Sequence, residues 1–136
     1  MKTPTTLCGV FVAGALLLAA GPAWAHHALA TQFDPAKTIT LKGTITRMDW
    51  RSPHGWIHLD VKRPDGQVES WGIETGGQSR MKKRGLNRAD FQPGLEIIVG
   101  GFPARDGSQK AAGMTVTFVD RVATLPNGQA AFSLGR

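Results

Sequence analysis

Tyrosine is missing from this chain, and cysteine occurs once, at Cys8. Cys8 lies ahead of the apolar run Val10–Ala20, inside a stretch that reads as an export signal. If that stretch is removed, the mature protein holds no thiol. Thiol catalysis, thiolate metal sites and disulfides are then excluded, and a hydrophobic core alone must hold the domain together in an oxidising compartment. Carboxylates are sparse too, 10 against 16 lysines and arginines. There is no Gly-x-Ser-x-Gly, no phosphate loop and no nucleophile paired with a base, and Ser52 and Ser70 lack any activating context. The expectation is a protein that is not an enzyme. No later segment is long and apolar enough to suggest a transmembrane anchor, which needs about 20 residues.

What is present begins with the N-terminus. Lys2 supplies a positive start, residues 10–20 an apolar stretch, Gly21-Pro22 a helix break, and Ala23-Trp24-Ala25 a small-x-small cleavage site. This is the layout of a secretory signal peptide over residues 1–25. Cleavage after Ala25 makes His26 the mature N-terminus of a periplasmic or secreted protein. Ala28-Leu29-Ala30 also fits the small-x-small pattern, but it lies too far beyond the apolar run. Lipoprotein processing is disfavoured, because Cys8 precedes that run and Leu7 is too large for the position before a lipidated cysteine.

Residues 26–37 read as an irregular lead-in, with Phe33 as an anchor and Asp34-Pro35 as a turn. Residues 38–136 read as one β-domain. Ile39, Leu41 and Ile45 alternate with polar neighbours, and the apolar phase then slips to Met48 and Trp50. A bulge near Thr46-Arg47 accounts for the slip, and Gly43 lets the strand bend. A second strand, 55–62, alternates Ile57, Leu59 and Val61 inward with Trp56, His58 and Asp60 outward. Pro64-Asp65-Gly66 is a hairpin turn. A third strand, 67–75, carries Trp71 and Ile73 on its apolar side. Residues 79–91 hold the one helical segment, with Ser79 as cap, Met81 inward and Gly85 as stop. Strands over 95–102 and around 114–119 follow, joined by the Arg105-Asp106-Gly107 turn, and a Pro126-Asn127-Gly128 turn opens a short terminal hairpin. This order predicts a mostly β fold, a small five-stranded OB-fold-like barrel with one short helix between strands three and four.

Several short motifs recur in this order in one group of proteins. They are Ala25-His26-His27, Phe33-Asp34, Leu41-Lys42-Gly43-Thr44-Ile45, Trp50-Arg51-Ser52-Pro53-His54, Trp71-Gly72-Ile73-Glu74, Arg84-Gly85-Leu86, Pro93-Gly94 and Pro103-Ala104-Arg105-Asp106-Gly107. Through them the mature chain resembles the small exported bacterial proteins of domain-of-unknown-function family 6152. Family members commonly carry Asn where Ser52 stands and an aromatic where Leu86 stands. The resemblance implies an exported, compact β-domain and no established activity.

The four histidines fall into two pairs, His26 with His27 and His54 with His58. A mature N-terminus at His26 offers an α-amine and a ring nitrogen from one residue, and one more imidazole completes a three-nitrogen histidine brace. Planar nitrogen ligation favours Cu(II). His54 on the turn or His58 on the outward face could supply the third nitrogen, with His27 a further candidate. The plainer alternative gives His26 and His27 to a polar start, His54 to a turn hydrogen bond and His58 to a strand surface beside Asp60.

Asp60 could orient His58 or approach Glu74. Trp56 shares the outward row and could contact a ligand, whereas Trp50 and Trp71 follow the core phase. The competing function is a metal-free OB-fold-like module that binds a small ligand, a glycan or an envelope protein. The net charge is +6, concentrated in Arg80, Lys82, Lys83, Arg84 and Arg88. Outside the inner membrane this cluster suits an envelope protein or an anionic surface rather than nucleic acid, or is simply a solvated helix face.

Overall fold

The computed structural model describes residues 31–121 and 132–134. Its strands are β1 (Ile39–Asp49), β2 (His54–Lys62), β3 (Val68–Gly76), β4 (Glu96–Pro103), β5 (Lys110–Phe118) and β6 (Phe132–Ser133). One α-helix, α1 (Gln78–Lys83), and a 3-10 turn (Arg88–Asp90) separate β3 from β4. The strands are ordered β3-β2-β1-β4-β5-β6, and β5 also pairs with β3, in parallel, through Gly72–Lys110 to Glu74–Ala112. That last pairing closes five strands into a barrel, with the helix between strands three and four. The fold is therefore the mostly β, OB-fold-like barrel that the sequence predicts.

The long first strand makes the closure possible. Its first half, Ile39–Thr44, pairs with β4, and its second half, Thr44–Asp49, pairs with β2. At the changeover a Cβ on Gly43 would stand 2.8 Å from the Asp60 carbonyl oxygen, so only glycine permits this approach. Directly beyond it the β1–β2 register shifts between Ile45 and Arg47, where the slip in the apolar phase places a bulge. The extra residue turns Met48 and Trp50 towards the core. By the same step Arg47 and Asp49 reach the outer face, opposite His58 and Trp56.

The core joins Ile45, Ile57, Leu59, Ile73, Ile97, Val99, Val116 and Phe118 from the strands with Met81, Leu86 and Phe91 from the helical connection. Each such side chain, fully buried, contributes about 1.5–3 kcal/mol. Trp50 and Trp71 are half-buried against this core, on the side that the alternation assigns them. Phe91 and Phe118 meet with ring centroids 5.4 Å apart. Leu134 is fully buried, its amide donating to the Met114 carbonyl and its carbonyl accepting from the Gly76 amide. Phe33 is also buried and bridges to Ala104, as the anchor reading expects.

The helical segment differs from the expectation. Ser79 is not its cap: α1 begins at Gln78, with Gly77 as N-cap and no side-chain capping bond. The reason is a distant contact. The Gln78 amide donates to the Arg51 carbonyl at 3.1 Å, and a Cβ on Gly77 would lie 2.6 Å from the Pro53 carbonyl oxygen. The β1–β2 turn thus sits on the start of the helix, leaving no room for a capping side chain. Gly85, at φ 82°, ends the helix as expected. Its amide bonds to the Lys82 carbonyl and that of Leu86 to the Met81 carbonyl, a Schellman closure sealed by the buried Met81 and Leu86. Asn87 and Asp90 cap the separate 3-10 turn reciprocally. The expected Pro126-Asn127-Gly128 turn, residues 1–25, His26 and His27 lie outside the described residues.

Candidate functional site

The outer face of β1, β2 and β3 gathers the polar and aromatic residues of interest. Strand alternation sets out His54, Trp56, His58 and Asp60 in one row on β2. Against this row the register places Asp49 and Arg47 of β1 opposite Trp56 and His58. On the other side stand Gly76, Glu74, Gly72 and Ser70 of β3, opposite His54, Trp56, His58 and Asp60.

His54 opens β2 rather than sitting in the turn before it, since it pairs with Gly76. Its Nδ1 lies 3.0 Å from Glu74 Oε1. The Glu74 side chain is only 8% exposed and that of His54 is 46% exposed. A carboxylate buried to that degree needs a donor, and Nδ1–H of His54 supplies one. In the neutral ring this puts the proton on Nδ1 and leaves the lone pair on Nε2. The ring borders a cleft shared with Ser52, Pro53, Gly77, Ser79 and Arg80.

His58 has a different environment. Its Nε2 stands 3.0 Å from Asp49 Oδ2 and 2.9 Å from Arg47 Nη2. One ring nitrogen can donate to the carboxylate or accept from the guanidinium, not both. Arg47 Nε lies 3.1 Å from Asp49 Oδ1, and Arg51 Nη2 lies 3.5 Å from Asp49 Oδ2. Asp49 is therefore the hub of two guanidiniums and one imidazole, and it, not Asp60, orients His58. Asp60 instead accepts from the Ser70 hydroxyl at 3.0 Å. Nor do Asp60 and Glu74 meet, since Ser70 and Trp56 are their register partners.

The hydrogen bond from His58, then the charge of Arg47, hold the Asp49 carboxyl below its ordinary value of 3.8. A depressed carboxylate stabilises the fold above its unfolded pKa, and that contribution is lost as pH falls through the folded one. In a thermal melt series between about pH 5 and pH 2, Asp49→Asn is expected to flatten the fall in Tm below about pH 4. Parallel curves for the variant and the parent would exclude this role for Asp49.

His54 and His58 do not converge. Four residues along one strand separate them by about 13 Å, too far to share a metal ion. Among the described residues, no group of three or more His, Cys, Asp or Glu side chains could hold a metal. Trp56, between the two histidines, borders two cavities. The first, of about 550 Å³, is lined by Arg47, His58, Gly72 and Lys110 among others. The second, of about 450 Å³, is lined by Thr31, Gln32 and Phe33 with the β4–β5 turn. The lead-in therefore enters the fold beside Trp56, tied by the Phe33–Ala104 bridge and by the Arg105 amide, 2.9 Å from the Gln32 carbonyl.

The basic cluster is exposed, with Arg80, Lys82 and Lys83 on α1 and Arg84 and Arg88 just beyond it. Among the described residues, no helix is long and apolar enough to cross a membrane.

Sequence reasoning missed the Glu74–His54 pair and the Asp49 hub. The second was within reach, because the bulge that turns Met48 and Trp50 inward necessarily turns Arg47 and Asp49 outward.

Compared with known proteins, residues 15–114 match a family model described as "Family of unknown function (DUF6152)". No curated protein matches the chain. Among solved structures it is similar to the S. cerevisiae mitochondrial single-stranded DNA-binding protein Rim1. The two are 13% identical over 61% of this chain and 94% of that one, with a TM-score of 0.46.

Proposed function

The chain belongs to DUF6152, a family of unknown function, and we propose that it is an exported accessory protein that binds Cu(II) through His26 and His54. The observation that carries this reading is the carboxylate behind His54. Glu74, buried and 3.0 Å from Nδ1, holds the ring in the tautomer whose Nε2 can ligate a metal. A carboxylate on the far nitrogen is the usual outer-shell support of a ligating histidine, and it raises the basicity of the ring. His58 is the poorer ligand, because the Arg47 guanidinium stands 2.9 Å from its Nε2 and opposes a cation there.

Chain length permits the pairing. Thr31 and Trp56 line one cavity, and His54 is two residues, about 7 Å, along the strand from Trp56. The five residues back to His26 extend at most about 3.3–3.6 Å each, a reach of roughly 17 Å. Removal of residues 1–25 then supplies an α-amine and an imidazole from His26, and with His54 a three-nitrogen set suited to Cu(II). The basic residues Arg80, Lys82, Lys83 and Arg84 give the exported protein a positive face for an anionic surface or an acidic partner.

Titration of the processed protein with Cu(II) in a calorimeter tests the pairing. Glu74→Gln is expected to weaken binding by about 10–100-fold, the usual cost of losing an outer-shell partner. His54→Ala should cost at least as much, and His58→Ala should leave the affinity unchanged. An isotherm unaltered in His54→Ala overturns the assignment of His54, and absence of binding in the parent favours a metal-free binding module.

A further inference from the structure

The cavity on the other side of Trp56 does not depend on copper. Its floor is Gly72, directly opposite His58 in the β2–β3 register. A Cβ added at Gly72 would touch Cε3 and Cζ3 of Trp56 at 3.4 Å and the Lys110 stem at 3.8 Å. The indole and the lysine stem thus flank a space that exists because residue 72 has no side chain. The floor is held rigidly: β3 pairs with β2 on one side and with β5 on the other, and the Gly72 amide donates to the Gln109 carbonyl at 2.9 Å. Trp56, Ser108 and Lys110 border both this cavity and its neighbour.

The charge of the walls is one-sided. Arg47 and Lys110 line the cavity, and no carboxylate lines it. Asp49, behind Arg47, is shared with Arg51 and His58, so one acid faces two permanent cations there. Asp106, the nearest acid to Lys110 along the turn, accepts from the Ser108 amide at 2.9 Å and also feels the Lys110 charge, but it does not line the cavity. Ser70 and Ser108 add hydroxyls to the lining. A flat aromatic wall selects a ring, because stacking on indole is favourable for sugars and arenes alike. Two cations without a lining acid select an anion; the Arg47 fork is already bidentate to Asp49, through Nε at 3.1 Å and Nη2 at 3.2 Å, so Arg47 offers an incoming carboxylate its charge and its Nη1 donors.

We infer that the cavity between Trp56 and Lys110 binds a small ring-bearing carboxylate, its ring against Trp56 over Gly72 and its acid group between Arg47 and Lys110. The carboxylate is either that of a uronic sugar in an acidic glycan or that of an aromatic acid.

The test uses the processed protein freed of metal with EDTA, so that its outcome is separate from that of the copper titration. The Trp56 indole N–H is followed by NMR during titration with oligogalacturonate and, separately, with 4-hydroxybenzoate. Neutral counterparts, a galactose oligomer and 4-hydroxybenzyl alcohol, serve as controls. Saturable movement of the Trp56 signal with one acid is expected, and which acid moves it identifies the source. The neutral counterpart and Arg47→Ala should each bind about tenfold more weakly or worse, as loss of a charge-assisted contact implies. Gly72→Leu fills the floor and should abolish binding, while Gly72→Ala, whose added carbon makes only ordinary contacts, should keep the Tm of the parent. Equal binding of the neutral ring, retained affinity in both Arg47→Ala and Gly72→Leu, or no shift with either acid up to about 10 mM, a Kd too weak for a specific site, overturns the inference.

Discussion

Gly101→Ala is expected to destabilise the domain by about 3 kcal/mol or more, the upper range for overpacking a closed core. The added Cβ would stand 2.2 Å from the Ala112 carbonyl oxygen and 3.2 Å from the Gly113 Cα. Both obstacles are backbone, and both belong to the strand that closes the barrel. Gly101 pairs with Gly113 beside the register shift of β4 on β5, and Ala112 pairs in parallel with Glu74 of β3. Relief by moving β5 away from β4 would pull on the β3 seam as well. For a domain of this size each kcal/mol is worth about 4–8 °C in Tm, so the expected fall is roughly 12–24 °C.

The neighbouring glycine provides the control. A Cβ on Gly100 meets only the Thr115 hydroxyl, at 2.7 Å, and a rotamer adjustment costing about 0.5–1.5 kcal/mol accommodates it. Thermal melts of Gly100→Ala and Gly101→Ala should therefore separate widely. Similar Tm values for the two would mean that the β3–β5 closure is softer than its geometry implies.

The contrast between these glycines also marks what the sequence could and could not tell. Short-range periodicity was sufficient for the bulge beside Ile45 and for most of the strands, because each depends on residues within a few positions of one another, but it missed the first part of β5, where Lys110–Ala112 close the barrel on β3. The slip from Ile45 to Met48 and Trp50 required an extra residue, and the register carries it. Gly85 was readable as a helix stop for the same local reason. The helix start was not, because Gly77 rather than Ser79 caps it under pressure from Pro53, some two dozen residues away in sequence. The partners of the histidines were hidden likewise. Glu74 reaches His54, and Asp49 rather than Asp60 reaches His58, only once the β1–β2 and β2–β3 registers are fixed. Register follows from turn geometry and from the bulge acting together, and neither alone determines which outward residues become neighbours.

The outward row of β2 consequently divides into two chemistries. His54, backed by a buried carboxylate, is suited to a cation, and His58, against Arg47, is not. Trp56 between them serves the lead-in on one side and the Gly72 cavity on the other.

Acetylating the α-amine of His26 in the processed protein should have the largest functional effect of any single change. It converts the α-amine into an amide nitrogen, which is a poor neutral donor, and leaves no amine to close the chelate ring with the His26 imidazole. Two of the three nitrogens then no longer act together, so the loss should exceed the roughly 10–100-fold that removal of an outer-shell group costs. The lead-in is anchored by the buried Phe33, and the Tm of the metal-free protein should be unchanged.

The direct measurement is the Cu(II) affinity of the protein recovered from the cell envelope, its N-terminus read by mass spectrometry, beside that of the same protein with its α-amine acetylated. The expected result is a chain that starts at His26, a tight equimolar complex, and a loss of more than about 100-fold on acetylation. A chain that starts elsewhere, or equal affinities for the two forms, contradicts the proposed copper site.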